Sequence, residues 1–321
     1  MGVWHLSGVG LNPGAVTVPL TYIYLALKQA SKGNERAKKF FETSGEIGQE
    51  LKGAPEEIVI FTSREVITGE KRRDSTDEWF GTCRAESVPK TITRYLSRLL
   101  DELEDESFSR FYDGEWIKNI YFVEVNHENF DDCYLKIATT MYALERKEVW
   151  VNMIGGSNQI NLSLLISGSY SAVPSRYYYI FQSQTDLLHP EIETPDFTNP
   201  QVIDILEEKW NEIPVFHLEL GKLIRELSQR FCGRDVINTG EVYQILENLG
   251  YPRQYFAKLR GRVINVKGDA VSKGPLFEKM ENMISKIEKQ NIKNISKWKK
   301  WCKEKNILWR CSLEGNLEKI E

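Results

Sequence analysis

The chain is most constrained by an alternation of strand-like apolar segments with helix-like segments over its first 195 residues. The helix-like segments include residues 16–31, whose first turn is expected to contain Pro19, and residues 88–106. Such an alternation is typical of an open, mostly parallel sheet with helices on both faces. The sequence therefore predicts a Rossmann-like α/β fold. Its predicted strands lie within residues 3–11, 58–62, 117–125, 148–154 and 176–183.

The distribution of charge divides the chain into two regions. Residues 1–212 carry 21 Lys and Arg against 33 Asp and Glu, a net charge of −12, whereas residues 213–321 carry 21 against 13, a net charge of +8. A segment with three prolines, residues 189–201, lies near the change of sign. We therefore expect a ligand-binding domain over 1–195, a linker over 196–212 and a basic, mainly helical domain over 213–321.

The basic region has a pattern similar to a helix-turn-helix with a short wing, over residues 237–266. A long lysine-rich helix is expected after it, over residues 275–305. A winged helix would bind nucleic acid, whereas a lid or dimerisation domain would dock its basic face on the acidic sheet domain. The sequence leaves both interpretations open. The candidate nucleic-acid-binding residues are Arg253, Gln254, Lys258, Arg260 and Arg262.

Several classes of protein are disfavoured. The five cysteines are scattered and the four histidines well separated, so neither a metal site nor a disulfide framework is expected. Neither dinucleotide nor P-loop glycine motifs occur, and no cofactor is expected. The apolar runs fall short of the roughly 18 residues that a membrane span requires, and the first residues do not resemble a signal peptide. We therefore expect a cytoplasmic protein without a membrane partner.

Ligands of open parallel sheets bind beyond the carboxyl ends of the strands. In this chain those ends fall at residues 10–14, 62–65, 126–129 and 155–159, which are expected to form one rim. The sharpest signal there is the segment IGGSNQINLSLL, residues 154–165. Two glycines permit a tight turn, Ser157 can cap the following helix, and a helix start attracts phosphate. A purely structural turn would look similar.

The IGGSNQINLSLL segment resembles the signature turn of CRISPR-associated Rossmann-fold (CARF) domains, usually Gly-Gly-Thr-Lys-x-Met-Ser. The turn GLNPGAV, residues 10–16, is similar to the Gly-x-Ser-Pro-x-x-Val turn that opens many of these domains, especially the archaeal ring nucleases. Phe61-Thr62-Ser63 matches the Thr-Ser ending of their second strand. The resemblance covers about residues 3–185.

The resemblance implies a homodimer of an antiviral CRISPR system that binds one cyclic oligoadenylate ring across its two-fold axis. The first and last turns of each subunit would supply backbone N–H groups and neutral amides to the phosphates. The ligand-binding residues implied in this way are Gly10, Leu11, Asn12, Ser63, Gly155, Gly156, Ser157, Asn158 and Gln159.

Two departures from the family pattern concern catalysis. Asn158 replaces the expected lysine and Asn12 the expected serine, which are the catalytic candidates of ring nucleases. Those enzymes cleave by attack of a ribose 2′-OH on the adjacent phosphate, assisted by a nearby cation. Here Arg64 or Arg176 would have to serve, so the catalytic candidates are Asn12, Asn158, Arg64 and Arg176, and turnover stays open.

Two functions are therefore expected from the sequence. One is a cyclic-oligoadenylate sensor, with or without metal-independent opening of the ring. The alternative is a ligand-controlled, DNA-binding transcription regulator. The HEPN ribonuclease found in many CARF proteins is excluded, because no histidine follows His217 and its Arg-His signature is missing.

Overall fold

A computed structural model of the chain describes residues 2–41, 55–71, 87–103, 117–171, 173–180, 204, 207–208, 210–213 and 220–320. Its strands are β1 (Val3–Gly8), β2 (Pro55–Thr62), β3 (Asn119–Glu124), β4 (Val149–Asn152), β5 (Arg176–Ile180), β6 (Trp210–Ile213), β7 (Val236–Asn238), β8 (Ile264–Lys267), β9 (Ala270–Lys273), β10 (Leu308–Cys311) and β11 (Leu317–Lys319). Eight of them form one sheet in the order β11-β10-β3-β2-β1-β4-β5-β6. Strands β1 to β5 are parallel, and β6, β10 and β11 pair antiparallel at the two sides. The expected mostly parallel sheet is confirmed.

Helices cover both faces of this sheet. The described helices, including those of a second unit, are α1 (Gly14–Ser31), α2 (Glu35–Phe41), α3 (Arg64–Thr68), α4 (Val88–Leu103), α5 (Phe130–Ala143), α6 (Asn158–Ser171), α7 (Leu220–Phe231), α8 (Thr239–Asn248), α9 (Tyr255–Leu259), α10 (Phe277–Glu288) and α11 (Ile295–Glu304). Alternate residues of β2 point to opposite faces: Ile58 and Ile60 pack with α1, α2 and α4, whereas Val59 and Phe61 pack with α5, α6 and α11. None of the described helices is long and apolar enough to cross a membrane.

Residues 220–288 form a compact unit with its own core, which we call the C-terminal unit. It contains α7 to α10 and a three-stranded antiparallel sheet in the order β7-β9-β8. Leu227, Ile237, Val242 and Phe277 are among its buried residues. The unit contacts the first region through α7 against α6 and α10 against α5.

The main sheet includes strands from both sides of the linker that the sequence suggests at residues 196–212. Strand β6 occupies residues 210–213 and pairs with β5, and after the C-terminal unit the chain returns through α11 to β10, which pairs with β3. Long-range pairing of this kind leaves no periodic signal in the sequence. Most of the expected linker lies outside the described residues, and independent folding of 1–195 and 213–321 stays a prediction.

Three local expectations need correction. Helix α1 begins at Gly14, so Pro19 lies inside it instead of in its first turn. The long helix expected over 275–305 is two helices, because Asn291 takes a left-handed conformation (φ 52°) and Asn294 caps a new helix by accepting a hydrogen bond from the Lys297 N–H. The sequence predicts Asp131 or Asp132 as the N-cap of α5, whereas Asn129 caps this helix by accepting a hydrogen bond from the Asp132 N–H.

The proline in α1 leaves a carbonyl to be satisfied from outside the helix. Proline has no N–H to donate to the carbonyl four residues earlier, which is that of Ala15. The buried amide of Asn152, at the end of β4, donates to this carbonyl at 2.8 Å and to the Ser7 hydroxyl at 3.2 Å. Its Oδ1 accepts from the Ile154 N–H at 3.0 Å. One side chain thus joins β4, β1 and α1. These elements flank the two turns at residues 10–14 and 155–159, which we call the glycine-bearing turns.

Removing this amide should destabilise the fold. In Asn152→Ala, the Ala15 carbonyl and the Ile154 N–H lose their buried partner, so we expect a loss of about 2–3 kcal/mol in the free energy of unfolding. Chemical denaturation measures this loss. Asn282→Ala, at an exposed position of α10, is the control and should change stability by less than about 0.5 kcal/mol. Equal stability of the two variants would contradict the assigned role of Asn152.

A buried histidine makes stability depend on pH. His5 is 2% exposed, packs against Trp150, and has its Nδ1 3.0 Å from the Tyr178 hydroxyl. Burial disfavours the charged imidazolium and lowers the pKa of His5 from 6.5 to about 3. Above pH 6.5 the folded and unfolded chains bind the same number of protons at this residue. Below it the unfolded chain alone is protonated there, so stability falls as the pH is lowered towards 3.

His5→Gln should remove this acid sensitivity, because glutamine does not titrate. Between pH 6 and pH 4 we expect the free energy of unfolding of the wild-type chain to fall by about 1.4 kcal/mol per pH unit more than that of the variant. Urea unfolding at a series of pH values gives both slopes. Parallel slopes would contradict the assignment.

Candidate functional site

Both glycine-bearing turns and the ends of β2 and β3 surround one cavity of about 330 Å³, at the carboxyl edge of the parallel strands. We call it the rim cavity. Its position is the one at which open parallel sheets bind ligands. It is lined by Val9, Gly10 and Leu11 after β1, by Thr62, Ser63, Val66 and Lys71 after β2, by His127 after β3, and by Gly156, Ser157 and Ile160 after β4.

The turn after β4 lies directly against the end of β1. A β-carbon built on Gly155 would lie 2.1 Å from the Gly8 carbonyl oxygen, and one built on Gly8 would lie 2.7 Å from the Gly155 oxygen. Gly156 has φ +91°, a conformation that favours glycine. Close packing and backbone conformation therefore explain these three glycines. Gly10 differs, because a β-carbon there would meet nothing within 4 Å.

Five of the nine ligand-binding residues expected from the sequence line the rim cavity. They are Gly10, Leu11, Ser63, Gly156 and Ser157.

The remaining four lie beside the cavity without lining it. Gly155 is buried against Gly8. Asn12 is exposed, and its Oδ1 accepts from the Gly14 N–H at 3.0 Å, so that its side chain caps the start of α1. Asn158 is exposed at the first position of α6, and Gln159 follows it half-buried.

Ser157 connects two of the loops that form the cavity. Its hydroxyl donates to the main-chain oxygen of His127 at 3.3 Å, and its Oγ accepts from the Ile160 N–H at 3.4 Å. The second bond is a helix cap of the kind expected from the sequence. The start of α6, with the positive end of its dipole, therefore faces the cavity beside a fixed hydroxyl.

The structure separates the two arginines considered for catalysis. Arg64 is exposed at the start of α3, on the same edge as the rim cavity. Arg176 lies at the opposite, amino end of β5 and stacks on Trp150 at 4.5 Å and on Phe40 at 5.1 Å. Its Nη2 also donates to the main-chain oxygen of Phe40 at 2.7 Å. The suggested catalytic role of Arg176 is therefore corrected, because a guanidinium held at the amino edge does not reach the rim.

Three polar residues of the cavity, Thr62, Lys71 and His127, are not among the ligand-binding residues expected from the sequence. The Thr62 hydroxyl donates to the Val9 oxygen at 2.7 Å and joins the end of β2 to that of β1. His127 and Lys71 both line the cavity. His127 lies in the segment 126–129, which the sequence places on the rim because it follows a predicted strand. Its position near the cavity was therefore predictable. Lys71 follows the short helix α3, and no feature of the sequence indicates it.

The electrostatics of the rim favour an ionised carboxylate next to these two residues. The pKa of Glu65 is lowered, first by a hydrogen bond from the Ser63 side chain and then by the main chain at the start of α3. Electrostatic interactions with Lys71 and His127 lower it further. Glu65 therefore stays ionised close to the side chains of Lys71 and His127.

The five residues expected to contact nucleic acid are all exposed on the C-terminal unit, in or next to the short helix α9. Arg253 lies over the Tyr243 ring at 5.7 Å. The other four are Gln254, Lys258, Arg260 and Arg262. Across the described part of the chain, no cluster of three or more His, Cys, Asp or Glu side chains has the geometry to hold a metal ion.

Comparison with known proteins identifies a relative that is similar over most of the chain. No family model matches the chain. A Csm6 from Enterococcus italicus, solved bound to cyclic hexa-2′-fluoro-hexa-dAMP, aligns with a TM-score of 0.38 and 11% identity. That alignment covers 92% of this chain but 57% of the Csm6 chain, so this chain spans little more than half of its length. A protein from Archaeoglobus fulgidus that carries the name Uncharacterized protein is 43% identical over 310 residues, which is 93% of this chain and 95% of the relative. The chain therefore belongs to the same family as this Archaeoglobus fulgidus protein.

Proposed function

We propose that the protein is a CARF-type sensor that binds a cyclic oligoadenylate in the rim cavity. The observation that carries the proposal is that both turns resembling the CARF pattern line the same cavity. Two turns that bind the same ligand have to face the same cavity. That both do so here is an observation about their positions, and it does not depend on which residues make the turns similar to the CARF pattern.

The chemistry of the lining suits a phosphate-rich ring with aromatic bases. Ser63 and Ser157 supply hydroxyls, and Lys71 supplies a cation for phosphate. Apolar side chains, such as those of Leu11 and Ile160, supply surface against which bases can pack. The net acidity of residues 1–212 does not oppose binding, because local N–H groups and charges determine the field inside a cleft.

The size of the cavity supports a homodimer. Its volume of about 330 Å³ is near the lower end of the roughly 300–1,000 Å³ typical of small-molecule sites, whereas the proposed ligand contains several nucleotides. Two facing cavities would provide the space and match the symmetry of the ring. The exposed side chains of Leu11, in the first turn, and Leu162, in α6, offer apolar surface close to this edge.

Filling the cavity should abolish binding without unfolding the protein. Gly10→Leu places a side chain in open space, so its unfolding temperature should match that of the wild type. Calorimetry with cyclic tetra- and hexa-adenylate should give heat for the wild type, with one ring per two chains, and an affinity at least 100-fold lower for Gly10→Leu. Ser296→Leu, exposed on α11, is the control and should bind normally. Absence of heat with both rings at micromolar wild-type protein would overturn the proposal.

A second function is favoured by the architecture of the C-terminal unit. We infer that this unit is a winged helix that binds duplex DNA, which would make the protein a ligand-controlled regulator. The order β7-β9-β8, with Gly268 (φ +63°) in the turn between β8 and β9, is the arrangement of a short wing. Lys258 is exposed on α9, and Arg260 and Arg262 are exposed between α9 and this wing.

Reversing charge on this face should weaken DNA binding. We expect Lys258→Glu/Arg260→Glu to reduce affinity for duplex DNA at about 50 mM salt at least tenfold and to make the dependence on salt less steep, because fewer counterions are released. Gel shift or fluorescence anisotropy with the whole chain measures both effects. Lys297→Glu/Lys300→Glu, exposed on α11, makes the same change of charge elsewhere and should have a smaller effect. Wild-type protein that does not shift DNA at low salt would remove this function and leave the lid or dimerisation interpretation.

A further inference from the structure

The rim cavity contains two ionisable side chains outside both glycine-bearing turns, His127 and Lys71. They come from different elements: His127 follows β3, and Lys71 follows α3. The family motifs that suggested the site concern the ends of β1, β2 and β4. The presence of these two side chains is therefore independent of the family motifs, and it bears on the reactions that a bound ligand could undergo in the cavity.

Both residues are in segments with defined local structure. The loop of His127 is closed by a hydrogen bond from the Asn129 N–H to the Asn126 oxygen at 2.9 Å, and the Asn126 N–H donates to Asp132 at 2.7 Å. The Ser157 hydroxyl holds the main-chain oxygen of His127. The main-chain N–H of Lys71 donates to the main-chain oxygen of Glu65 at 2.9 Å, which holds the backbone of Lys71 in place.

The other catalytic candidates at the rim are chemically less suited to proton transfer. The amides of Asn12 and Asn158 do not exchange protons near neutral pH, and the side chain of Asn12 already caps α1. The guanidinium of Arg64 is permanently charged. Histidine is the side chain that takes up and releases a proton near neutral pH, and among the described lining residues of the cavity His127 is the one of this type.

Resting on the proposed function, we propose that His127 and Lys71 are the catalytic residues with which the rim cavity opens a bound cyclic oligoadenylate. His127 takes the proton of a ribose 2′-OH, whose oxygen attacks the adjacent phosphorus. A bond forms between the 2′-oxygen and phosphorus, and the bond from phosphorus to the 5′-oxygen breaks. The proton removed from the 2′-OH ends on the departing 5′-oxygen. The products at that position are a 2′,3′-cyclic phosphate and a 5′-OH, and neither metal nor water is consumed.

Lys71 and Glu65 have separate roles in this step. The ammonium of Lys71 stabilises the negative charge that develops on the phosphoryl oxygens in the transition state. The Glu65 carboxylate, close to Lys71 and His127, is a positioning residue that favours the imidazolium of His127 once the proton has been transferred. Lys71 would thus supply the positive charge that the family pattern provides from a lysine at the position of Asn158.

The test separates binding from cleavage. Excess protein is incubated with radiolabelled cyclic tetra- or hexa-adenylate, the products are resolved by chromatography, and the dissociation constant is measured separately. Wild-type protein should give a linear product with a 2′,3′-cyclic phosphate end. His127→Gln should lower the single-turnover rate at least 100-fold and change the dissociation constant less than about threefold. A ring of 2′-deoxyadenylate should bind without being cut.

Substitutions of Lys71 distinguish its charge from its shape. Lys71→Gln should lower the rate about 100-fold, whereas Lys71→Arg, which keeps the charge, should retain at least a tenth of the wild-type rate. Lys303→Gln, exposed on α11, is the matched control and should cleave normally. Circular dichroism and the unfolding temperature check that every variant is folded.

The outcomes are distinguishable. Wild-type protein that binds neither ring overturns the proposed function and the catalytic assignment together. A ring that binds but is not cut, or that His127→Gln cuts at the wild-type rate, overturns the catalytic assignment and leaves the sensor intact. A product with a 3′-phosphate formed directly by water would also overturn it, because the 2′-oxygen would then not be the nucleophile.

Discussion

The hydrogen bond from the Asn152 amide to the Ala15 carbonyl is the interaction on which the candidate site depends. It exists because Pro19 deprives that carbonyl of its helical donor, and a buried carbonyl without a partner is costly. The same amide is bonded to β1 through Ser7 and to the turn after β4 through Ile154. Helix α1, two neighbouring strands and the glycine turn therefore share one polar centre in an otherwise apolar environment. Their relative positions determine where the rim cavity opens.

The glycines of the rim divide into two groups with different physical roles. Gly8 and Gly155 allow the two backbones to touch, and Gly156 adds a positive φ. These are requirements of folding, whatever the cavity binds. Gly10 has free space beside it and faces the cavity. Substitutions at the first group would disturb the sheet and the site together, whereas Gly10 allows the site to be changed alone. Glycines of a motif can thus border a cavity and still serve mainly the fold.

The centre of the fold was predictable because its signals are local. Apolar strands followed by turn residues placed β1 to β5 and their carboxyl ends, and from there the rim, Ser157 and Gly10. What escaped prediction depends on contacts between distant residues. The pairing of β10 with β3 joins segments nearly 200 residues apart, and the role of Asn152 follows from a proline more than 100 residues earlier. Lys71 reaches the cavity because the chain turns back after α3. Arg176 was expected at the carboxyl edge but lies at the amino edge, because it is the first residue of its strand.

The return of β10 and β11 to the main sheet changes how the C-terminal unit can move. Because the chain enters the unit after β6, at one side of the sheet, and leaves it through α11 and β10 towards the other, the unit is an insertion attached at both ends. A domain on a single tether explores many orientations, whereas an insertion attached at both ends and packed through α7 and α10 has fewer orientations available to it. Helix α6 begins at the glycine turn and packs so closely on α7 that a β-carbon on Gly221 would lie 2.9 Å from the Tyr170 oxygen. A displacement of α6 at the rim would therefore act directly on α7, the first helix of the insertion.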